Sequence, residues 1–236
     1  MHTADIHGRL SDARAEALGR LLRSLDAPAL LLDSGDALPT GNVDLRLGGE
    51  PTLARMSRLG YAAMALGNRE FHPFVRLLKA KLVSARFPVL CANVRFARGA
   101  PASVRPSRVV ELGGVTVGIF GLLTPMVRAG SFLERLCKIS FDEPLRAAER
   151  IARELRPRCD LLVALTHIGI ARDRELFDRL PEVDLVLGGH SHVREQQTAP
   201  GRALVHTAPY AQEATVIHWQ GREAPPEVRV VALGEG

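Results

Sequence analysis

Residues 183–192 read VDLVLGGHSH, an apolar run that ends in two glycines and two histidines. Residues 183–187 have the length and composition of a buried β-strand. In α/β sheets, ligands bind beyond the carboxyl ends of the strands, because each strand delivers its following loop to the same edge. His190 and His192 therefore mark a candidate site at the end of this strand.

Three other apolar runs end in the same way. They are residues 29–32 before Asp36, residues 62–66 before Asn68, and residues 160–165 before His167. Each of these side chains alone has an ordinary explanation as a turn or cap residue. Four strand ends that all carry Asp, Asn or His are better explained by one shared site.

Asp5 and His7 stand two residues apart near the start of the chain, as His190 and His192 do near the other end. In an extended chain, side chains at i and i+2 point to the same side. We therefore expect each pair to contribute to one region of the crevice. The predicted metal ligands are Asp5, His7, Asp36, Asn68, His167, His190 and His192.

Mixed nitrogen and oxygen ligands suit Mn, Fe, Co or Zn better than Mg or Ca. Seven ligands are too many for one tetrahedral ion, but they suffice for two divalent ions if one carboxylate bridges them. Two ions about 3.5–4 Å apart can stabilise both the attacking and the leaving oxygen in a displacement at phosphorus.

The segments between these strands have helical periodicity. Helices are predicted at residues 11–25, 51–59, 74–84, 142–156 and 173–180. Further strands are predicted at residues 88–94, 203–207, 215–219 and 228–233, with a hairpin over 108–120 around Gly113-Gly114. The pattern indicates an α/β fold of two packed sheets with helices outside. Residues 95–106, which contain two prolines, are expected to form a mobile loop.

Composition restricts the class of protein. The chain has 236 residues, of which 46% are hydrophobic and 24% charged, with a net charge of +5. The cationic residues are mostly arginines dispersed over helical segments, so nucleic-acid binding is not expected. The longest apolar runs are strand-sized, which predicts no membrane span. The chain as given suggests a cytoplasmic protein, or a periplasmic or secreted one if an upstream start encodes a signal peptide; the oligomeric state stays open.

The ordered set D-x-H (5–7), G-D (35–36), G-N-x-E (67–70), His167 and G-G-H-x-H (188–192) resembles the calcineurin-like metallophosphoesterases, within them the 5′-nucleotidase branch. The resemblance implies a four-layered α/β/β/α sandwich of two mixed sheets. It also implies that a hydroxide bridging two metal ions attacks a small phosphorylated substrate.

The resemblance divides the ligands between the two ions. One ion would be held by Asp5, His7, Asp36 and His192. The other would be held by Asp36, Asn68, His167 and His190, so that Asp36 bridges. Asn68 would also contact a phosphate oxygen.

The chain departs from the family at a catalytic pair. The family pattern is G-N-H-E followed by Phe and Asp, whereas this chain has Arg69 and His72 at the two changed positions. Arg69 cannot act as a general acid because it stays protonated, but it offers a fixed charge and several donors. His72 could supply a proton. Our hypothesis is that the pair keeps electrostatic stabilisation and relocates or loses acid catalysis.

The ends of the chain also differ from the family. Only four residues precede Asp5, so we expect a single domain over residues 1–236 with a truncated first strand. If the given start is the true one, Asp5 and His7 are expected to lie on a frayed end. No C-terminal nucleoside-binding domain is expected within these residues, so nucleotide specificity is not carried over. Two alternatives stay open, namely an impaired module that binds metal and phosphate or nucleotide, and a sulfur-ester hydrolase of the same branch.

Overall fold

The computed structural model describes residues 1–41, 44, 46, 49–97 and 99–234. The α-helices within these residues are α1 (Asp12–Arg23), α2 (Pro51–Leu59), α3 (Val75–Lys81), α4 (Phe132–Cys137), α5 (Pro144–Leu155) and α6 (Ile170–Arg179), and a 3-10 turn at Arg156–Arg158 follows α5. The strands are β1 (His2–Thr3), β2 (Leu32–Asp33), β3 (Ala63–Ala65), β4 (Val89–Leu90), β5 (Val94–Phe96), β6 (Val104–Arg105), β7 (Ser107–Leu112), β8 (Val115–Leu123), β9 (Ile139–Phe141), β10 (Leu161–His167), β11 (Leu185–Gly188), β12 (Glu195–Ala199), β13 (Arg202–His206), β14 (Glu213–His218) and β15 (Glu227–Ala232).

The strands form two large mixed sheets. The first sheet has the order β15-β14-β1-β2-β3-β4-β6, and the second has the order β12-β13-β11-β10-β8-β7. Strands β1, β2, β3, β4 and β6 run parallel, as do β8, β10, β11 and β13, while the remaining strands of each sheet pair antiparallel. A small third sheet pairs β5 with β9.

Three apolar clusters separate four layers. One joins α1, α2 and α3 to the outer face of the first sheet, the second fills the space between the sheets, and the third joins α5 and α6 to the second sheet. Strand β10 shows the alternation, because Val163 and Leu165 face the first sheet whereas Leu162 and Ala164 face the helices. The predicted four-layered α/β/β/α sandwich is confirmed.

Most predicted elements are present with small shifts at their ends. Helix α2 has the predicted bounds, and Ser11 caps α1 through a hydrogen bond from the Arg14 N–H. The hairpin of β7 and β8 turns at Gly113-Gly114. The sequence analysis missed the polar edge strand β12, which lacks a regular apolar alternation, and the short elements α4 and β9, which span only six and three residues.

Two expectations, one about a strand and one about a loop, need correction. The strand predicted over 88–94 is divided, because β4 joins the first sheet and β5 pairs with β9. The segment 95–106, expected to be a mobile loop, contains the end of β5 and all of β6; residue 98 lies outside the described residues.

The first segment is well packed rather than frayed. Strand β1 lies between β2 and β14, and Asp5 is only 1% exposed. The Asp5 N–H donates to the Gly35 carbonyl at 3.0 Å, and the His7 N–H donates to the Asp36 carbonyl at 2.9 Å. None of the described helices combines the length and the apolar character that crossing a membrane requires.

Candidate metal centre

The carboxyl ends of β2, β3, β10 and β11 meet at one end of the sandwich. Asn68 Oδ1 lies 2.9 Å from His167 Nε2 and 3.1 Å from His190 Nδ1. Asp36 Oδ1 lies 3.4 Å from the same His167 nitrogen. The structure therefore brings together a first set of four predicted ligands, which we call the amide group: Asp36, Asn68, His167 and His190.

A second set lies where the first segment meets the loop after β11. His7 Nε2 and His192 Nε2 are 2.9 Å apart, and they lie 3.9 Å and 3.4 Å from Asp5 Oδ1. We call Asp5, His7 and His192 the imidazole group. The two groups adjoin, because one ligand atom each from Asp5, Asp36 and His167 lie within 4.8 Å of one another.

His190 and His192 do not lie together as their two-residue spacing predicts. His190 belongs to the amide group and His192 to the imidazole group, so this pair does not serve one region together. The backbone there is not extended. Among the described residues, eight non-glycine residues have a positive φ, and five of them are predicted ligands: Asp5, His7, Asp36, His190 and His192. Because such backbone costs about 1–3 kcal/mol per residue, its concentration here points to a functional site.

The electrostatics of the centre call for a cation. Burial lowers the pKa of His167, but the hydrogen bond and charge of Asp36 raise it by more, to about 9. Burial raises the pKa of Asp5, and the nearby Asp36 charge raises it further. Burial also opposes ionisation of Asp36, yet His167 holds the pKa of this carboxyl below its ordinary value. Two buried carboxyl groups thus lie beside His167, an arrangement that a bound cation would stabilise.

These residues fit divalent ions. Two ligand atoms each about 2.1 Å from one ion lie roughly 3.0–3.4 Å apart, which is close to the spacings within both groups. The facing Nε2 atoms of His7 and His192 can share only one proton or one cation. The His7 Nδ1 is buried without a hydrogen-bond partner among the described residues, so polar neighbours do not explain this ring.

Backbone contacts orient the amide group. His167 Nδ1–H donates to the Ser34 carbonyl at 2.8 Å, which fixes the tautomer and turns Nε2 toward Asp36 and Asn68. Such an outer partner is typical of metal-ligating histidines. The Arg69 N–H donates to Asp36 Oδ1 at 2.8 Å. The Ser34 hydroxyl donates to the Leu187 carbonyl at 2.6 Å and so joins the ends of β2 and β11.

Glu70 is a supporting residue to which the sequence analysis gave no role. Its fully buried carboxylate accepts hydrogen bonds from the N–H groups of Asp36, Leu38 and Gly67, at 2.8, 3.0 and 3.0 Å. A Cβ at Gly67 would lie 2.2 Å from the Asp36 nitrogen, so only glycine permits this close approach. The final position of the G-N-x-E motif could have suggested such a role, because Glu70 joins the loops that carry two predicted ligands.

Glu70→Gln should destabilise the fold, because the amide NH₂ would face a backbone N–H donor. Leaving one buried donor unpaired costs about 1–3 kcal/mol, which urea unfolding would measure. The exposed Glu223→Gln is the matched control, and its free energy of unfolding should stay within about 0.5 kcal/mol of the parent. Equal stability of both variants would contradict the role of the Glu70 carboxylate.

Arg69 lies beside the centre. Its Nε is 3.8 Å from Asp36 Oδ2, its Nη1 donates to the Pro39 carbonyl at 2.8 Å, and 34% of its side chain is exposed. His72 has other neighbours. Its Nδ1 accepts the Phe74 N–H at 3.0 Å, and burial together with the charge of Lys81 lowers its pKa. A neutral imidazole with this partner is poorly suited to donate a proton at neutral pH.

Comparison with known proteins assigns the chain to a family. A model described as calcineurin-like phosphoesterase matches residues 1–194. The chain belongs to the calcineurin-like phosphoesterase family. The 5′-nucleotidases of Vibrio cholerae and Mus musculus are 30% and 31% identical to it over 217 and 261 residues. These alignments cover 81% and 100% of this phosphoesterase chain, which confirms the resemblance to the 5′-nucleotidase branch.

A solved structure agrees with this assignment. The 5′-nucleotidase precursor from Thermus thermophilus superposes with a TM-score of 0.78 and 25% identity, covering 98% of this phosphoesterase chain and 53% of that one. A sulfate thiohydrolase from the same organism shares the fold, with a TM-score of 0.76 at 20% identity over 94% of this chain and 42% of the other. The chain spans 39% and 44% of the length of the Vibrio and mouse relatives.

Proposed function

We propose that this chain is a metal-dependent phosphoester hydrolase that holds two divalent ions and acts on phosphate mono- or diesters of small molecules. The observation that carries the proposal is the convergence of seven ligand-type side chains into two adjoining groups at the carboxyl ends of the strands. Family membership supports the same reaction class.

The ligand sets follow the two groups. The imidazole group would hold one ion and the amide group the other, with Asp36 contributing to both. The donor set suits Mn, Fe, Zn or Co. When bound, two such ions supply a nucleophilic water at neutral pH and stabilise charge on phosphoryl oxygens.

The chain's own polar groups then orient the substrate. Asn68 turns its Oδ1 toward two imidazoles, which leaves its Nδ2 hydrogens for another acceptor, and we assign them to a phosphoryl oxygen. Arg69 keeps donors beyond the one used on the Pro39 carbonyl, so it offers charge and hydrogen bonds at the rim. The catalytic set proposed from the sequence was Asn68, Arg69 and His72; the contacts of His72 favour loss of acid catalysis over its relocation to this imidazole.

One observation favours a second candidate, a module that binds metal and phosphate or nucleotide without turnover. The residue at position 69 is a permanent cation, held through a main-chain N–H and a side chain that both face Asp36. A permanent cation binds an anion but cannot protonate a leaving group. A sulfur ester stays a further alternative substrate class, for which the shared fold of the thiohydrolase carries no chemical argument.

The test is hydrolysis of p-nitrophenyl phosphate and bis(p-nitrophenyl) phosphate with Mn²⁺. Turnover should depend on Mn²⁺ and should fall about 10²-fold or more in His190→Ala, because one ligand of the amide group is lost. The exposed His218→Ala is the matched control and should keep parental turnover. Stoichiometric Mn²⁺ binding without cleavage of either ester would support the binding module, and absence of Mn²⁺ binding would contradict both candidates.

A further inference from the structure

We infer that Tyr210 is a positioning residue for the imidazole group, where its ring sets the orientation of the two histidines that would hold one of the ions. The inference rests on the proposed function, since it concerns a metal that this function requires. Tyr210 lies in the loop between β13 and β14, far along the chain from Asp5 and His7.

The Tyr210 ring packs against both imidazoles of this group. Its centroid lies 5.4 Å from that of His7 and 5.5 Å from that of His192, and the two imidazoles are 4.9 Å from each other. These separations and the tilted or edge-on angles are those of favourable aromatic contacts. The three rings form one cluster whose two Nε2 atoms converge at 2.9 Å. One phenol ring thus restricts rotation of both histidines.

The backbone of Tyr210 has a strained conformation that places the ring against the two imidazoles. Its φ is +68°, a value uncommon for a bulky aromatic residue, and Ala211 beside it has a φ of +52°. The Tyr210 N–H donates to the Asp5 carbonyl at 2.8 Å. The Arg14 Nη1 donates to the carbonyls of Tyr210 and Arg9, at 3.0 and 3.2 Å. Arg14 therefore joins the Tyr210 loop to the loop that carries His7.

The contacts of Tyr210 support the imidazole group rather than the amide group. The amide group relies on other partners, because the Ser34 carbonyl orients His167 and the Arg69 N–H orients Asp36. Among the described residues, the Tyr210 ring makes aromatic contacts with His7 and His192, both in the imidazole group, and a cation–π contact with the Arg9 guanidinium, 6.0 Å from the ring centroid. Loss of the Tyr210 ring should therefore weaken one metal site and leave the other.

The experiment is calorimetric titration of the full chain with Mn²⁺. Outer partners of metal ligands typically change metal affinity by about 10–100-fold, and we expect that loss at one of two sites in Tyr210→Gly. Glycine removes the ring and suits a positive φ, so the variant should keep the parental melting temperature within a few degrees. Tyr210→Phe should restore the affinity, because the contact is made by the ring.

Two controls make the result specific. Phe132→Ala removes an aromatic ring that is 71% exposed on α4, and it should leave both Mn²⁺ affinities unchanged. In a His190→Ala background, which disables the amide group, Tyr210→Gly should still weaken the remaining site.

Unchanged affinity in Tyr210→Gly, equal loss at both sites, or failure of Tyr210→Phe to restore binding would overturn the inference. If the parent binds no Mn²⁺, the proposed function itself fails; if Tyr210→Gly does not fold, Tyr210→Ala replaces it under the same criteria.

Discussion

Asp36→Asn is expected to lower Mn²⁺-dependent turnover by about 10³-fold. The substitution keeps the shape of the side chain and an oxygen for the Arg69 N–H, but it removes a buried negative charge. His167, fully buried 3.4 Å away, then loses the carboxylate that raises its pKa. By analogy with a buried ion pair, in which removal of one partner costs about 3–5 kcal/mol, we expect the cation held there to bind about 10²–10⁴-fold more weakly.

The measurement combines steady-state rates with the metal content of the purified protein. Asp33→Asn is a close control, because Asp33 is also buried and lies three residues away. Burial raises the pKa of the Asp33 carboxyl well above its ordinary value, so the substitution there does not remove a carboxyl held in its ionised form as in Asp36. Its carboxyl accepts hydrogen bonds from Thr3 and Gly35 rather than facing the histidines. Retention of two Mn²⁺ ions and parental turnover in Asp36→Asn would refute the bridging role.

The double variant Arg69→His/His72→Asp should raise turnover of alkyl phosphate monoesters by about 10²-fold. General acid catalysis contributes about 10²–10⁴-fold, and its benefit is largest when the leaving group is poor. p-Nitrophenyl phosphate, with its good leaving group, should gain much less. An aspartate at position 72 can still accept the Phe74 N–H, so the local turn has a substitute for the His72 Nδ1.

The single variants serve as controls. Arg69→His alone supplies an imidazole without its orienting carboxylate, and His72→Asp alone supplies no acid. Both should gain less than the pair, which a comparison of kcat for an alkyl and an aryl monoester would measure. If the double variant gains nothing on the alkyl ester, these two positions do not correspond to the catalytic pair of the family.

The convergence of the seven ligand candidates was predictable because parallel strands carry their following residues to one edge. Asp36, Asn68, His167 and His190 follow or end β2, β3, β10 and β11, and the apolar runs made those strands recognisable. The two packed sheets with helices outside were predictable from the order of strand and helix segments, and the resemblance to the family implied the four layers. That these seven side chains hold metal stays a prediction.

Contacts made through folded loops were not predictable from spacing. His190 and His192 separate into different groups, as the resemblance implied, because their backbone is left-handed rather than extended, which the two-residue spacing alone does not show. Tyr210 reaches His7 across more than 200 positions, through a loop anchored by Arg14. The motif indicates only that His72 could supply a proton, because its partners, the Phe74 N–H and the Lys81 charge, depend on how α3 and the turn before it fold.

The left-handed residues at the centre limit how the rest of the chain can vary. Each raises the free energy of the folded state by about 1–3 kcal/mol, against a net stability of about 5–15 kcal/mol for an ordinary domain. Truncating a buried leucine such as Leu165 to alanine costs about 2–5 kcal/mol. Packing far from the centre therefore has to offset the strain of the five left-handed ligand residues, and each truncation in the core reduces the same margin of stability.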